Sequence, residues 1–295
     1  MNLGITVCIA TYNGSSKILD TINAILNNSI VPDEILVFID GSKDETYEIL
    51  KAYELNPIFT ICNSITNFGR ASARNRAARM AKNEILLFID DDIIIPNNTI
   101  KSHLFLQEKF PDLVHVNPTL TVKSKNDFSN FKRFVELKWN NSKAQDGEVT
   151  FSAAFFSMRK SVFIKLGGFH DGLRDAEDYE FGRRLKENKV SVAANPDLVG
   201  LHNDQITCRS FIIRNRQYND ANKRLIEEKI LNSNKYVSQK PKPIKRAFFA
   251  LFTHNFVINL IDNNFFNWMF QGLRFKIYDL VCAGFIFYFP NKKVK

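Results

Sequence analysis

The amino-acid sequence predicts an α/β fold built on a mostly parallel sheet flanked by helices, continued by a helical C-terminal extension rich in basic and aromatic residues. Three observations point there. Short apolar β-type runs alternate with segments whose apolar residues recur at helical spacing, the pattern of successive βαβ units. Polar residues of unusual type follow those runs directly, on the sheet edge where such folds bind ligands. Charge is segregated as well: residues 1–204 hold 24 Lys and Arg against 26 Asp and Glu, whereas residues 205–295 hold 16 against 5, with 12 of the 27 Phe.

Ile5 to Ala10 reads as a first buried strand running into the loop Thr11-Tyr12-Asn13-Gly14. A helix follows from about Ser16, with Ile18, Leu19, Ile22, Ile25 and Leu26 at helical spacing. Glu34 to Ile39 is a second strand ending at Asp40-Gly41-Ser42, after which Asp44 is placed to cap a helix carrying Tyr47, Ile49 and Leu50. Phe59 to Cys62 forms a third strand, and Asn67-Phe68-Gly69-Arg70 opens an Ala- and Arg-rich helix, Ala71 to Ala81. Glu84 to Ile89 is the fourth strand and stops at three consecutive aspartates, Asp90, Asp91 and Asp92.

The pattern weakens from Pro96 to Thr150, where a helix near Lys101 to Lys109, a strand around Val114 to Val116 and an amphipathic segment Phe128 to Trp139 are expected. Thr150 to Met158 reads as a strand, followed by a short helix and the turn Gly167-Gly168-Phe169. Asp175 to Asn188 reads as a helix with an acidic first turn, and Val190 to Ala194 as a strand. The expected organisation is a catalytic domain over 1–204, with halves 1–95 and 96–204, and a helical extension over 205–295.

A chain of 295 residues that is 45% hydrophobic and 24% charged buries a sizeable core and is not compositionally disordered. Cys8, Cys62, Cys208 and Cys282 lie far apart with no C-x-x-C pair, which argues against a zinc site or a disulfide framework and for a reducing, cytoplasmic location. The N-terminus lacks a basic region ahead of its apolar run and reads as a strand rather than a signal peptide. The longest apolar run of the extension, Leu280 to Pro290, falls short of the ~20 residues of a spanning helix.

Three adjacent carboxylates repel one another and call for a cation, and oxygen-only ligands suit Mg²⁺ or Mn²⁺. Taken alone, the triplet reads more readily as a solvated acidic turn capping the next helix. Its position after a buried strand favours a site.

Four motifs occur in order: Ile5-Thr6-Val7-Cys8-Ile9-Ala10-Thr11-Tyr12-Asn13, Asp40-Gly41-Ser42-Lys43-Asp44-Glu45-Thr46, Gly69-Arg70-Ala71-Ser72-Ala73-Arg74-Asn75 and Leu87-Phe88-Ile89-Asp90-Asp91-Asp92. Over about residues 3 to 204 the chain resembles a family 2 glycosyltransferase with the Rossmann-like GT-A fold. The resemblance implies inverting transfer of a sugar from a nucleotide-diphosphate donor, most often a UDP-sugar, with Mn²⁺ or Mg²⁺ on the diphosphate. It implies that Asp40 bonds the base or ribose, that Asp90 approaches the ribose and that Asp92 binds the metal. Thr11 and Tyr12 would line the nucleoside pocket, Arg70 and Arg74 would lie near the phosphates, and Asp91 joins the donor-binding set. For Tyr12, ordinary packing in a loop is the competing explanation. The family often has two acids before its Gly-Ser turn, whereas this chain has Ile39-Asp40, so only Asp40 is carried over.

Gly167-Gly168-Phe169 followed by Glu177-Asp178 resembles the family's acceptor region. Acids at a helix start also gain from the helix dipole, which is the plainer explanation. Sugar transfer to a hydroxyl needs one carboxylate as base, and the motif position implies Asp178, with Glu177 orienting acceptor or donor sugar. His202 stands where related enzymes supply a histidine to the metal or diphosphate, with an ordinary structural histidine as the competing explanation. Arg183 and Arg184 either contact diphosphate or face solvent.

Residues 205 to 240 read as a charged helical stretch with Phe211, Ile212, Tyr218 and Leu225 on a docking face, and Pro241-Lys242-Pro243 breaks it. Lys245-Arg246 beside Ala247 to Phe256, and then Phe265 to Phe270, suggest amphipathic helices at an anionic membrane surface, or else a cover on the catalytic domain or a partner subunit. The first would place the protein peripherally at the inner membrane face, with a glycan or lipid-linked acceptor. No nucleic-acid module is recognised. The competing functions are a nucleotidyltransferase, which would carry a Gly- and Lys-rich loop after the first strand, and a carbohydrate-binding or scaffold protein, which would have lost its acids.

Overall fold

The computed structural model describes residues 3–146, 151–173, 175–204, 206–228 and 243–294, with only the backbone of 141–146. The chain forms two compact units, one of residues 1–120 and 139–203, the other of 121–138 and 204–295.

In the first unit, β1 (Ile5–Thr11), β2 (Glu34–Asp40), β3 (Phe59–Ser64) and β4 (Ile85–Ile89) alternate with α1 (Ile18–Leu26), α2 (Thr46–Leu50) and α3 (Arg70–Met80). A short β5 (Ile93–Ile94) precedes α4 (Thr99–Lys109), β6 (Val114–Val116) and β7 (Thr119–Thr121). Helix α5 (Asp127–Asp146) starts among the residues of the second unit and ends among those of the first, and after it come β8 (Phe155–Arg159), α6 (Lys160–Lys165), α7 (Glu177–Glu187), β9 (Val192–Ala194) and β10 (Gly200–His202). The main sheet has the order β3-β2-β1-β4-β8-β6-β9, and β5-β10-β7 form a second, smaller sheet. Strands β3, β2, β1 and β4 are mutually parallel, while β8 runs antiparallel to β4 and β6. The expected α/β architecture with a mostly parallel sheet is therefore the observed one.

Strands β1, β2 and β4 read as continuous apolar runs because both faces of the sheet are covered. Alternate residues feed opposite layers. Ile5, Val7, Ile9, Ile35, Val37 and Ile39 pack with Ile18, Ile22 and Ile25 of α1. Cys8, Leu36, Phe88 and Phe156 pack with Ala71, Ala73, Ala77 and Ala78 of α3, whose small side chains let the helix approach the sheet closely. Phe88, Phe156, Phe163, Phe169 and Phe181 join this second layer, with Phe88 stacked on Phe156 at 4.6 Å and Phe169 and Phe181 rings 4.9 Å apart. Each buried Phe contributes roughly 1.5–3 kcal/mol, so the aromatic layer anchors α7 firmly against the sheet.

Several boundaries differ from the sequence reading. The strand expected over Thr150 to Met158 is ordered as β8 only from Phe155, and Thr150 lies outside the described residues. Phe151 and Ala153 are buried without being strand, since apolar content signals burial rather than backbone conformation. The helix expected from Asp175 begins at Glu177, because Ala176 adopts a left-handed φ of 65°. Asp44 does serve the start of α2: its Oδ1 accepts from the N–H of Thr46 at 3.2 Å, although Glu45 occupies the flanking position.

The second unit holds α8 (Cys208–Glu227), α9 (Pro243–Ala250), α10 (Asn255–Asp262), a 3₁₀ turn (Phe265–Trp268), α11 (Gln271–Ala283) and a π-helical turn, Gly284–Tyr288. Thr207 and Ser210 form a reciprocal capping box at the start of α8. Phe128, Phe131, Ile212, Ile258, Ile261, Phe275, Tyr278 and Phe285 make its core. Of the expected docking face, Ile212 and Leu225 are buried and Phe211 packs against this core. The segment expected to be helical up to residue 240, and the break at Pro241-Lys242, lie partly outside the described residues. Among the described residues no helix is long and apolar enough to cross a membrane.

Candidate active site

Because β1, β2 and β4 are parallel neighbours, their carboxyl ends bring Thr11, Asp40 and the Asp90–Asp92 triplet to one edge of the sheet. Asp40 is 2% exposed, and its two carboxylate oxygens accept from the N–H groups of Phe68 (2.8 Å) and Gly69 (2.9 Å). It thereby fastens the loop that opens α3. Gly41 beside it has φ +69°, and a Cβ there would stand 2.6 Å from the backbone nitrogen of Asn67, so this turn requires glycine.

The three aspartates take three different settings. Asp90, the most open, receives Arg74 Nη2. Asp91 is buried, accepts from the Thr11 hydroxyl at 2.5 Å and lies 2.9 Å from the Lys17 ammonium. Asp92 is buried too, 3.2 Å from Lys17 through Oδ2. Burial pushes the Asp91 carboxyl up despite Lys17, whereas for Asp92 the desolvation is outweighed by His202 and Lys17, which hold it well below the usual carboxylate range. Burial alone would lower the Lys17 ammonium, but Asp91 and Asp92 outweigh it and hold it above its ordinary value.

His202 reaches this cluster through the backbone. In the antiparallel pair of β5 and β10 it stands opposite Ile93, the residue after Asp92, and the N–H of Asn203 donates to the Asp92 carbonyl at 2.7 Å. Its Nε2 lies 3.0 Å from Asp92 Oδ1, close enough to pair with it electrostatically, yet that buried oxygen accepts no well-formed hydrogen bond. An unsatisfied carboxylate oxygen facing an imidazole nitrogen fits a divalent cation, for which both are suitable ligands. Among the described residues no group of three or more His, Cys, Asp or Glu side chains gathers around one point to hold a metal.

A second cluster is built by α3 and α7. Arg74, 6% exposed, joins Asp90 to Glu177, whose Oε1 it reaches with Nη1 at 2.8 Å. Arg70 is more open, 3.6 Å from Asp175 and 3.9 Å from Glu177. Asp178 is half-buried. Burial first, then the neighbouring Glu177 charge, push its carboxyl up to about 6. Tyr12 is 47% exposed on the loop after β1, so interior packing does not account for it.

Two contacts hold this acidic helix start in place. Asn75 accepts from the N–H of Phe169 at 2.8 Å and donates to the Phe169 carbonyl and to Asp171, each at 2.7 Å. Gly168, at φ +69°, lets Asn75 approach, since a Cβ would lie 2.5 Å from its Oδ1. Arg184 pairs with Glu180 one turn back and donates to the carbonyls of Leu166 and Gly168, both at 2.6 Å. Arg184 is thus a brace for the Gly-Gly-Phe turn, while Arg183 pairs with Glu187 on the helix surface. Sequence reasoning missed Lys17, although a lysine at the N-terminal boundary of α1 runs against the helix dipole and signals compensating acids nearby.

Both the sequence and the fold have known relatives. The profile described as glycosyl transferase family 2 matches residues 6–167, and the chain belongs to that family. It is 28% identical over 216 residues to the O-antigen chain rhamnosyltransferase RfbN of Salmonella typhimurium, covering 70% of this chain and 68% of that one. To a poly-β-1,6-N-acetyl-D-glucosamine synthase of Staphylococcus epidermidis it is 25% identical over 187 residues, covering 62% of this chain and 45% of the synthase. The fold is similar to the mannosyltransferase PcManGT from Pyrobaculum calidifontis in complex with GDP-Man and Mn²⁺, with a TM-score of 0.60 and 17% identity over 99% of this chain and 89% of that one. It is similar also to S. aureus TarS 1–349 in complex with UDP, at 0.54 and 18% identity over 99% and 93% of the two chains. The fold is thus that of GT-A enzymes, and the chain is a glycosyltransferase.

Proposed function

We propose that the protein is an inverting glycosyltransferase that moves a sugar from a nucleotide-diphosphate sugar to a hydroxyl of a glycan or lipid-linked acceptor. The observation that carries this is the Arg74 bridge, which ties Asp90 at the end of β4 to Glu177 at the start of α7, beside Asp178. One buried guanidinium thereby couples the donor-side acids to the acceptor-side acids.

In this scheme Thr11, Tyr12, Asp40 and Asp90 receive the nucleoside and Arg70 faces the diphosphate, while the enclosed Arg74 holds Asp90 and Glu177 in place. Asp178 takes the proton from the acceptor hydroxyl as its oxygen bonds the anomeric carbon; the bond from that carbon to the diphosphate oxygen breaks, and the electron pair leaves with the diphosphate. A carboxyl poised at about 6 is ionised at neutral pH yet remains basic enough for that task. Asp92 and His202 would hold Mn²⁺ or Mg²⁺, which, when bound, offsets charge on the leaving diphosphate. Two protein donors suit an ion completed by phosphate oxygens and water. Relatives described with UDP, UDP-GlcNAc and GDP-Man support the donor class, and those described with Mn²⁺ support the ion.

The test is a thermal-shift screen of UDP-, GDP- and dTDP-sugars with and without Mn²⁺, followed by nucleoside diphosphate release. One donor should raise the melting temperature only when Mn²⁺ is present, since a ligand stabilises by selective binding to the folded chain. If no donor does so, the proposed activity is wrong.

A further inference from the structure

Between α10 and α11 the second unit carries large apolar side chains on its outside. Phe270 is 89% exposed and Trp268 77%, with Phe265 and Leu273 more than half exposed, all within one short turn and the start of α11. Such side chains are ordinarily drawn into a core, as Phe266 in the same turn is.

The turn is nonetheless held fast. Asn264 enters it in a left-handed conformation, with its side-chain oxygen accepting from the N–H of Asp127 at 2.8 Å. Arg274 donates to the Met269 carbonyl at 2.9 Å. The same guanidinium bonds the buried Asp127 carboxylate at 2.9 Å, and that carboxylate also accepts from the Tyr278 hydroxyl at 2.9 Å. A buried ionic network therefore fixes a backbone whose apolar side chains face solvent, which is the design of a binding surface rather than of a loose loop. Helix α9 presents a comparable face: Ile244, Phe248 and Leu251 recur at helical spacing, all exposed, with exposed Lys245 and Arg246 beside them.

We infer that the turn from Phe265 to Leu273 is a wedge that seats this protein on an anionic lipid surface. Charge selects the occupant, because residues 205–295 carry 16 Lys and Arg against 5 Asp and Glu. The side chains agree with it: Trp and Phe favour the headgroup region, and neighbouring cations add attraction to anionic headgroups. With no described helix able to span a bilayer, attachment by these residues is interfacial.

The full chain is sedimented with vesicles of phosphatidylcholine alone or mixed with phosphatidylglycerol, at low and high salt. The mixed vesicles should bind about tenfold or more tightly than the neutral ones, and salt should weaken binding. The W268S/F270S variant should lose about tenfold or more in affinity at an unchanged melting temperature, since both side chains are exposed. Trp139 and Trp268 are the two tryptophans, so in a W139F background the emission of Trp268 should shift to the blue on the mixed vesicles. The wedge is overturned if the full chain ignores the mixed vesicles, or if W268S/F270S binds them as the unaltered chain does. It is equally overturned if light scattering finds an oligomer that W268S/F270S dissociates while vesicles stay unbound. The assay contains neither donor nor acceptor, so it is independent of the proposed activity.

Discussion

Arg74 donates to Glu177 across 2.8 Å, and both side chains are almost wholly enclosed. Removing one member of a buried pair strands the other without solvent, which typically costs about 3–5 kcal/mol. Arg74→Met should therefore lower stability by about 3 kcal/mol in urea unfolding. The double variant with Glu177→Gln should recover part of that loss. A single-variant cost below about 1 kcal/mol would show that the bridge is not structural.

Asp178→Asn keeps the shape of the side chain and removes the proposed base. Donor binding, read by thermal shift with Mn²⁺, should be unchanged, while turnover should fall by about 10²–10⁴-fold. Turnover equal to that of the unaltered chain would eliminate Asp178 as the base.

The same carboxyl sets an expectation for pH. As the proposed base Asp178 acts as carboxylate, and burial lifts its ionisation from 3.8 to about 6, so kcat/KM should rise with pH and reach half its plateau near pH 6. Stability should follow the opposite sign. An acid whose folded value is raised contributes stability fully below its unfolded value, and that contribution is lost as pH rises through about 6. Asp178→Asn should flatten this part of the stability profile, which chemical unfolding across pH 4–7 would reveal.

His202→Ala and Asp92→Asn should each weaken Mn²⁺ binding to the donor-loaded protein by about 10- to 100-fold, a range seen when even the outer partners of a metal site are disturbed. Titration followed by Mn²⁺ paramagnetic resonance measures this directly. Equal affinity in all three proteins would place the ion elsewhere.

Lys17 already supplies positive charge to Asp91 and Asp92. Lys17→Met should lower the melting temperature of the metal-free protein and tighten Mn²⁺ binding, because Asp92 then faces the ion without a competing ammonium. Weaker Mn²⁺ binding in this variant would mean that Lys17 positions the ligands instead.

The sheet edge was legible in the sequence because strands covered on both faces are written as unbroken apolar runs, so Asp40 and Asp90 stand out at their ends. Phe151 shows the limit of that signal, since a buried residue in an irregular segment looks like one in a strand. The beginning of α7 was misjudged by two residues because no local pattern announces the left-handed turn at Ala176. Arg184 could not be assigned because its partners, the carbonyls of Leu166 and Gly168, are selected by packing and not by spacing. Asp40 was legible at the end of its strand, but its backbone partners at Phe68 and Gly69 required the folded loop.

The pairing of β5 with β10 gives position 202 an address independent of its occupant. Main-chain bonds, rather than the imidazole, bring that Cα beside the carboxylate of residue 92, so the place would persist with other side chains. Position 202 is therefore a socket, where an exchange of one residue can retune the chemistry presented beside Asp92 while the surrounding sheet stays as it is.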